Sequence, residues 1–137
     1  MRGKNENLIA LVAQLKGQKV LVKGNHDDVS DARYKQLFHE ICDYKEIMDS
    51  FEGRSYKLIL SHYPILMWNG QHRGSILLYG HTHNSKEDEF FQKCIDEMNS
   101  NTYIIHENDK KFKSINVGCM KGYMGYEPRS LKELLGC

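Results

Sequence analysis

Tyr56-Lys57-Leu58-Ile59-Leu60-Ser61-His62-Tyr63-Pro64 and, after a polar loop, Ile76-Leu77-Leu78-Tyr79-Gly80-His81-Thr82-His83 decide the fold class. In both stretches an apolar run of strand length ends in a turn carrying histidine. A third run, Val20-Leu21-Val22, leads into Gly24-Asn25-His26-Asp27. Short buried strands of this kind, alternating with helical segments, predict an α/β protein with parallel pairing. In open α/β sheets the carboxyl ends of the strands are where ligands bind. Pro64 stiffens the exit from its strand and holds Tyr63 extended.

Outward from these runs, Leu8, Ile9, Leu11, Val12 and Leu15 recur at helical spacing, predicting an amphipathic helix over 5–16 stopped by Gly17. Residues 31–40 read as a second helix, with Ser30 or Asp28 as its N-cap. Tyr44, Ile47 and Phe51 mark a strand, and Glu52-Gly53 a hairpin turn into 56–60. Residues 67–75 form a polar loop. Its His72 and Arg73 are candidates to meet a phosphate, although a solvated loop is the simpler reading, as packing is for Trp68. Glu87-Asp88-Glu89 suits a helix N-terminus, and Phe90, Phe91, Cys94, Ile95 and Met98 supply that helix with an apolar face. Strands are predicted at 103–105 and 113–117. Lys110-Lys111-Phe112-Lys113 reads as a solvated basic turn. Ser130-Leu131-Lys132-Glu133 matches a capping box. No repeat or linker divides the chain, so one domain over 1–137 is expected.

A chain of 137 residues can bury a core of its own. With 19 Lys+Arg against 18 Asp+Glu there is no net field to draw nucleic acid or an anionic membrane. Nucleic acid enters only as a possible substrate, and no membrane partner is expected. No apolar run approaches the roughly 18 residues of a spanning helix. Cys42, Cys94, Cys119 and Cys137 are far apart, which argues against a structural zinc site or redox dithiol. Reduced thiols and a cytoplasmic location are expected.

Each histidine motif alone is ordinary strand-end or turn chemistry. Asn25 offers a neutral amide oxygen to a divalent ion, which leaves His26 free to donate to a phosphate oxygen. On a turn, His81 and His83 can approach two ions of a pair. In order, the three motifs resemble the later part of the calcineurin-like metallophosphoesterase signature, D-x-H, G-D-x-x-D, G-N-H-D/E, H, G-H-x-H. The resemblance covers 8–83 and, more loosely, 114–135, where Asn116-Val117-Gly118 is similar to the strand that closes the family's sheet.

The resemblance implies a β-sandwich flanked by helices, and a hydrolase acting on phosphomono- or phosphodiesters through a water activated by two divalent ions. Asn25, His62 and His81 would bind one ion and His83 would reach the other. His26 would contact the phosphate and assist the leaving group. Asp27 would brace its turn. Mixed nitrogen and oxygen donors suit Mn, Fe, Zn or Co. The chain departs from the family in having neither D-x-H nor G-D-x-x-D. Those blocks carry the carboxylate that bridges the two ions, so weak binding or a single ion is expected. The expected domain is therefore one that lacks its N-terminal strands, with residues 84–113 as an insertion. Two alternatives stand beside the enzyme: a catalytically inactive domain of the same fold kept for protein interaction, and a mononuclear metal-binding fragment using Asn25, His62 and His81.

Overall fold

The hairpin at Glu52-Gly53 forms as its sequence predicts. Both residues lie at positive φ, 51° and 77°, the two-residue turn whose twist matches that of its strands. It joins β3 (Tyr44–Phe51) to β4 (Arg54–Ser61) in an antiparallel ladder from Phe51↔Arg54 to Tyr44↔Ser61. The computed structural model describes Arg2–Gly136, with side chains from Glu6 onward; Cys137 lies outside the described residues. The chain divides into two compact units, 1–43 and 44–137.

In the second unit, β4 pairs in parallel with β5 (Ile76–Tyr79), and β5 with β6 (Lys113–Asn116), giving the order β3-β4-β5-β6. Side chains alternate across this sheet, as strand geometry demands. Ile59, Leu77 and Tyr79 face one way and are fully buried with Phe91, Ile95 and Met98 of α3 (Lys86–Ser100). Leu58, Leu60, Ile76 and Leu78 face the other way, toward Leu131 of α4 (Leu131–Leu134). A sheet covered on both faces explains why β4 and β5 read as continuous apolar runs. Ser85 caps α3 by accepting from the Asp88 amide, and Ser130 and Glu133 form the predicted capping box of α4. Phe90, placed on the apolar face of α3, is instead 70% exposed.

The segment between α3 and β6 is not the expected strand at 103–105. The Asn101 side chain accepts from the Tyr103 amide at 2.9 Å, and the Ile104 and Ile105 amides both turn back to the Asn101 carbonyl. Asparagine competes in this way with extended pairing. Ile104 and Ile105 still pack against the core. In the 67–75 loop, one turn of 3-10 helix spans Gln71–Arg73. Trp68 is a core residue there, its Nε1 donating to the Ser75 carbonyl at 3.2 Å.

In the first unit, α1 (Arg2–Ala13) ends earlier than the expected 5–16 helix, and Gly17 follows in the left-handed region. The helix expected over 31–40 is a single turn, α2 (Ala32–Lys35), capped by Asp31 rather than by Ser30 or Asp28. Asp28 spends its carboxylate on Ser30 instead. The rest of that segment is drawn into β2 (Glu40–Cys42), parallel to β1 (Val20–Val22). The His39 amide donates to the Lys19 carbonyl at 2.7 Å and begins that pairing.

Candidate functional site

Parallel register places two of the histidines. Ser61 and Tyr79 are partners on β4 and β5, and the Gly80 amide donates to the His62 carbonyl at 3.0 Å, extending the ladder one step. The chain then turns sharply. The Thr82 amide reaches the Gly80 carbonyl at 2.7 Å, a γ-turn with His81 at its centre and φ of 65°. His83 follows at φ 52°. Positive φ in a γ-turn is rare and strained, and strained residues cluster at functional sites.

The result is a cluster of rings at the carboxyl ends of two neighbouring strands. His62 Nε2 stands 3.2 Å from His81 Nδ1. The ring of Tyr63 lies 5.0 Å from that of His62 and 4.6 Å from that of His81. His83 is exposed, two residues on, and its carbonyl accepts from Asn116 Nδ2 at 2.9 Å.

What holds the turn is Asp88, a carboxylate that the sequence alone offers only as an acidic residue at a helix N-terminus. Asp88 is 2% exposed. Its Oδ1 accepts from the Tyr79 hydroxyl at 2.6 Å, and from Thr82 Oγ1 and Asn116 Nδ2 at 3.0 Å each. Its Oδ2 pairs with Lys121 Nζ at 2.8 Å. Burial pushes the Asp88 carboxyl up, but the hydrogen bonds from Lys121, Tyr79, Asn116 and Thr82 outweigh it and leave the group below its ordinary value. Burial, aided by the hydrogen bond to Asp88, pushes the Tyr79 phenol well above its usual range. Four elements therefore meet on one charged group beneath the His81–His83 turn. The local signal was Ser85-x-x-Asp88, a cap with an acid at its third position. Nothing in that signal reports the partners at 79, 82, 116 and 121.

Beside His81 opens a cleft of about 330 Å³ lined by Tyr63, Leu66, Phe90, Phe91 and Cys94, with Glu87 at its polar side. Phe90, exposed and unused by the core, belongs to this cleft.

Asn25 and His26 belong to the first unit and are exposed on the turn after β1. Asp27 braces that turn, its Oδ2 accepting from the Gly24 amide at 2.7 Å. His72, a candidate from the loop reading, is engaged by Asp109 at 2.9 Å.

The donor chemistry bears on the implied ions. Two nitrogens each about 2.0–2.1 Å from a zinc ion at the tetrahedral angle lie about 3.3–3.4 Å apart. The 3.2 Å between His62 Nε2 and His81 Nδ1 is close to that spacing. The pair fits two ligands of one ion. Among the described residues, no three His, Cys, Asp or Glu side chains gather as a metal-holding group. No helix of the described residues is long and apolar enough to cross a membrane.

Among the described residues, two sheets and four α-helices make this a mixed α/β protein. No family model and no curated protein matches the chain. Its fold is similar to a crystal structure titled as that of the Protein of Unknown Function AQ665 from Aquifex aeolicus, with a TM-score of 0.56 and 24% identity. That similarity covers 93% of this chain, which spans 65% of the length of the Aquifex protein.

Proposed function

We propose that this chain is a metallophosphoesterase domain that hydrolyses phosphoesters with an apolar or aromatic ester group. The observation that carries the proposal is the apposition of His62 and His81 at neighbouring strand ends, 3.2 Å apart. The order of the three histidine motifs supports the same reading, and so does strain at His81 and His83. In this reading the fold is the family's β-sandwich with flanking helices.

His62 and His81 would hold a divalent ion, of the Mn, Fe, Zn or Co class, through neutral imidazole nitrogens. When bound, such an ion polarises a phosphoryl oxygen and lowers the pKa of a water. The chain's own part is to orient and to exclude. The Asp88 network fixes the turn that carries His81, and Tyr63 packs on both imidazoles, limiting their rotation. The cleft of Tyr63, Leu66, Phe90 and Phe91 gives the ester group an apolar seat. The resemblance gives Asn25 and His83 the roles of further ligands, and His26 that of proton donor to the departing oxygen as the phosphorus–oxygen ester bond breaks.

A second reading is a mononuclear metal-binding domain without turnover. The nitrogen spacing favours it as much as it does the enzyme, because both imidazoles fit a single ion. The two readings part in one experiment on the full chain. Metal content is measured after loading with Mn or Zn, and hydrolysis of an aryl phosphodiester is followed on the same sample. Turnover that disappears in His62→Ala and His81→Ala supports the enzyme. One ion per chain, lost in those variants, without turnover, supports the mononuclear reading. No metal uptake in the wild-type chain sinks both.

A further inference from the structure

The opposite end of the four-stranded sheet carries a different chemistry. β4 begins at Arg54, eight residues before His62; at ~3.3 Å per residue the two are roughly 25 Å apart. Around that end, Arg54, Arg73, Lys110, Lys111 and Lys113 line two clefts of about 350 and 410 Å³. The clefts share Tyr56, Gly74 and Lys110, so they form one trough.

All five cations are exposed, and none has an ion-pair partner among the described residues. Elsewhere in this unit Lys57, Lys121, Arg129 and Lys132 are paired, and the exposed Lys86 and Lys93 of α3, which have no ion-pair partner among the described residues, stand apart from these clefts. The carboxylates closest in sequence are engaged elsewhere: Asp109 by His72 and the His106 amide, and Glu52 by Lys132. No Asp or Glu lines either cleft. A near-neutral chain thus concentrates unpaired positive charge on one face, where the like charges raise one another's energy unless an anion is bound.

The trough is also built. Gly74, at φ 92°, lets the aliphatic stem of Lys110 lie against the backbone; a Cβ there would stand 3.1 Å from Lys110 Cδ. The Lys110 amide donates to the His72 carbonyl at 2.9 Å, tying the basic segment to the 3-10 turn that carries Arg73. Tyr56, half-buried, stacks one ring face on Phe51, with centroids 5.2 Å apart and 11° between planes. It lines both clefts, so one aromatic ring is shared by the two groups of cations.

We propose that this trough binds single-stranded nucleic acid, the five cations seating backbone phosphates and Tyr56 meeting a base. A groove of cations interleaved with an aromatic ring is how sequence-tolerant single-strand binding is built. Bare polyphosphate makes no use of Tyr56. A lipid surface is flat and is bound through exposed apolar anchors, whereas these clefts are concave. The site is separate from the His62–His81 pair and stands whether or not that pair is catalytic.

The test is fluorescence anisotropy of a labelled oligothymidylate with the full-length chain between about 50 and 200 mM salt. Five neutralised phosphates give a slope of log affinity against log salt of about −3.5, a loss of roughly 100-fold over that range. The double variant Arg73→Gln/Lys110→Gln shallows the slope by about 1.4. Tyr56→Leu weakens binding by roughly tenfold at unchanged slope. His81→Ala binds like the wild type. Arg73 and Lys110 are exposed, and circular dichroism verifies that each variant is folded. Salt-independent binding overturns the proposal, as does an unaltered slope in the folded double variant. So does displacement by inorganic polyphosphate that is as potent against Tyr56→Leu as against wild type, or binding of anionic phospholipid vesicles without binding of the oligonucleotide.

Discussion

His81 and His83 hold left-handed backbone that glycine would adopt more easily, at φ 65° and 52°. Histidine tolerates this region better than most residues, so the strain is modest. His83→Gly should raise stability by about 0.5–1 kcal/mol and, under the proposed function, weaken metal uptake; a denaturant midpoint and a metal titration on the same samples check it, and unchanged metal affinity would remove His83 from the proposed ligand set. Asp88 is the costlier residue. Its side chain is 3% exposed and that of its partner Lys121 19%. Asp88→Ala strands Lys121 and three hydrogen-bond donors, and should cost about 3 kcal/mol. Asp88→Asn keeps the shape but loses the charge, and should cost less. The native Asp88 carboxyl titrates below its ordinary value. Its contribution is therefore complete above the unfolded value of about 3.9 and fades as pH falls through the lower folded value. Acid unfolding followed by circular dichroism should show a limb below about pH 3.9 that is shallower in Asp88→Asn.

At the scale of elements, the hairpin and the last helix rest on single residues. Ser130→Ala removes half of a capping box and should cost about 1 kcal/mol. Gly53→Ala puts a Cβ on a residue at φ 77° and should cost about as much. Urea titration reads both, and a null effect of Ser130→Ala would mean that α4 is held by Leu131 packing alone. These elements were legible because their signals are local: an apolar run, a turn pair, a cap. The strand at 76–79 and the capping box at 130–133 formed where the residues predicted them. Where prediction failed, a neighbour competed. Asn101 captured the amide of Tyr103 and curled a segment that Tyr103-Ile104-Ile105 alone would extend. Pairing with β1 turned Glu40–Cys42 into strand and cut the predicted helix to one turn. The site divides in the same way. His62 and His81 were legible as strand-end residues, but the anchor under them was not, since its partners are spread from Tyr79 to Lys121.

For the whole molecule, both buried clusters come from residues 44–137. Local stability follows buried apolar contact, so the amides of Ile59, Leu77 and Tyr79 should exchange most slowly with solvent. Those of 20–22 and 40–42, in a two-stranded sheet of three residues each, should exchange faster. Hydrogen exchange with site resolution checks this, and equal protection in the two units would contradict it.

The bond from the Gly80 amide to the His62 carbonyl has a consequence for heredity and for engineering. The strand ends that carry the two imidazoles inherit their spacing from a ladder of main-chain bonds, and only the His81 turn beyond it leans on side chains, those of Asp88 and its partners. A lineage that keeps Asp88 and Tyr63 can therefore exchange the other residues of α3, lengthen the 101–112 segment or remodel the cleft around Phe90 without moving the strand ends that carry the pair. A protein engineer can do the same, transplanting new loops around a fixed two-nitrogen socket and altering what the site accepts while leaving the socket as it is.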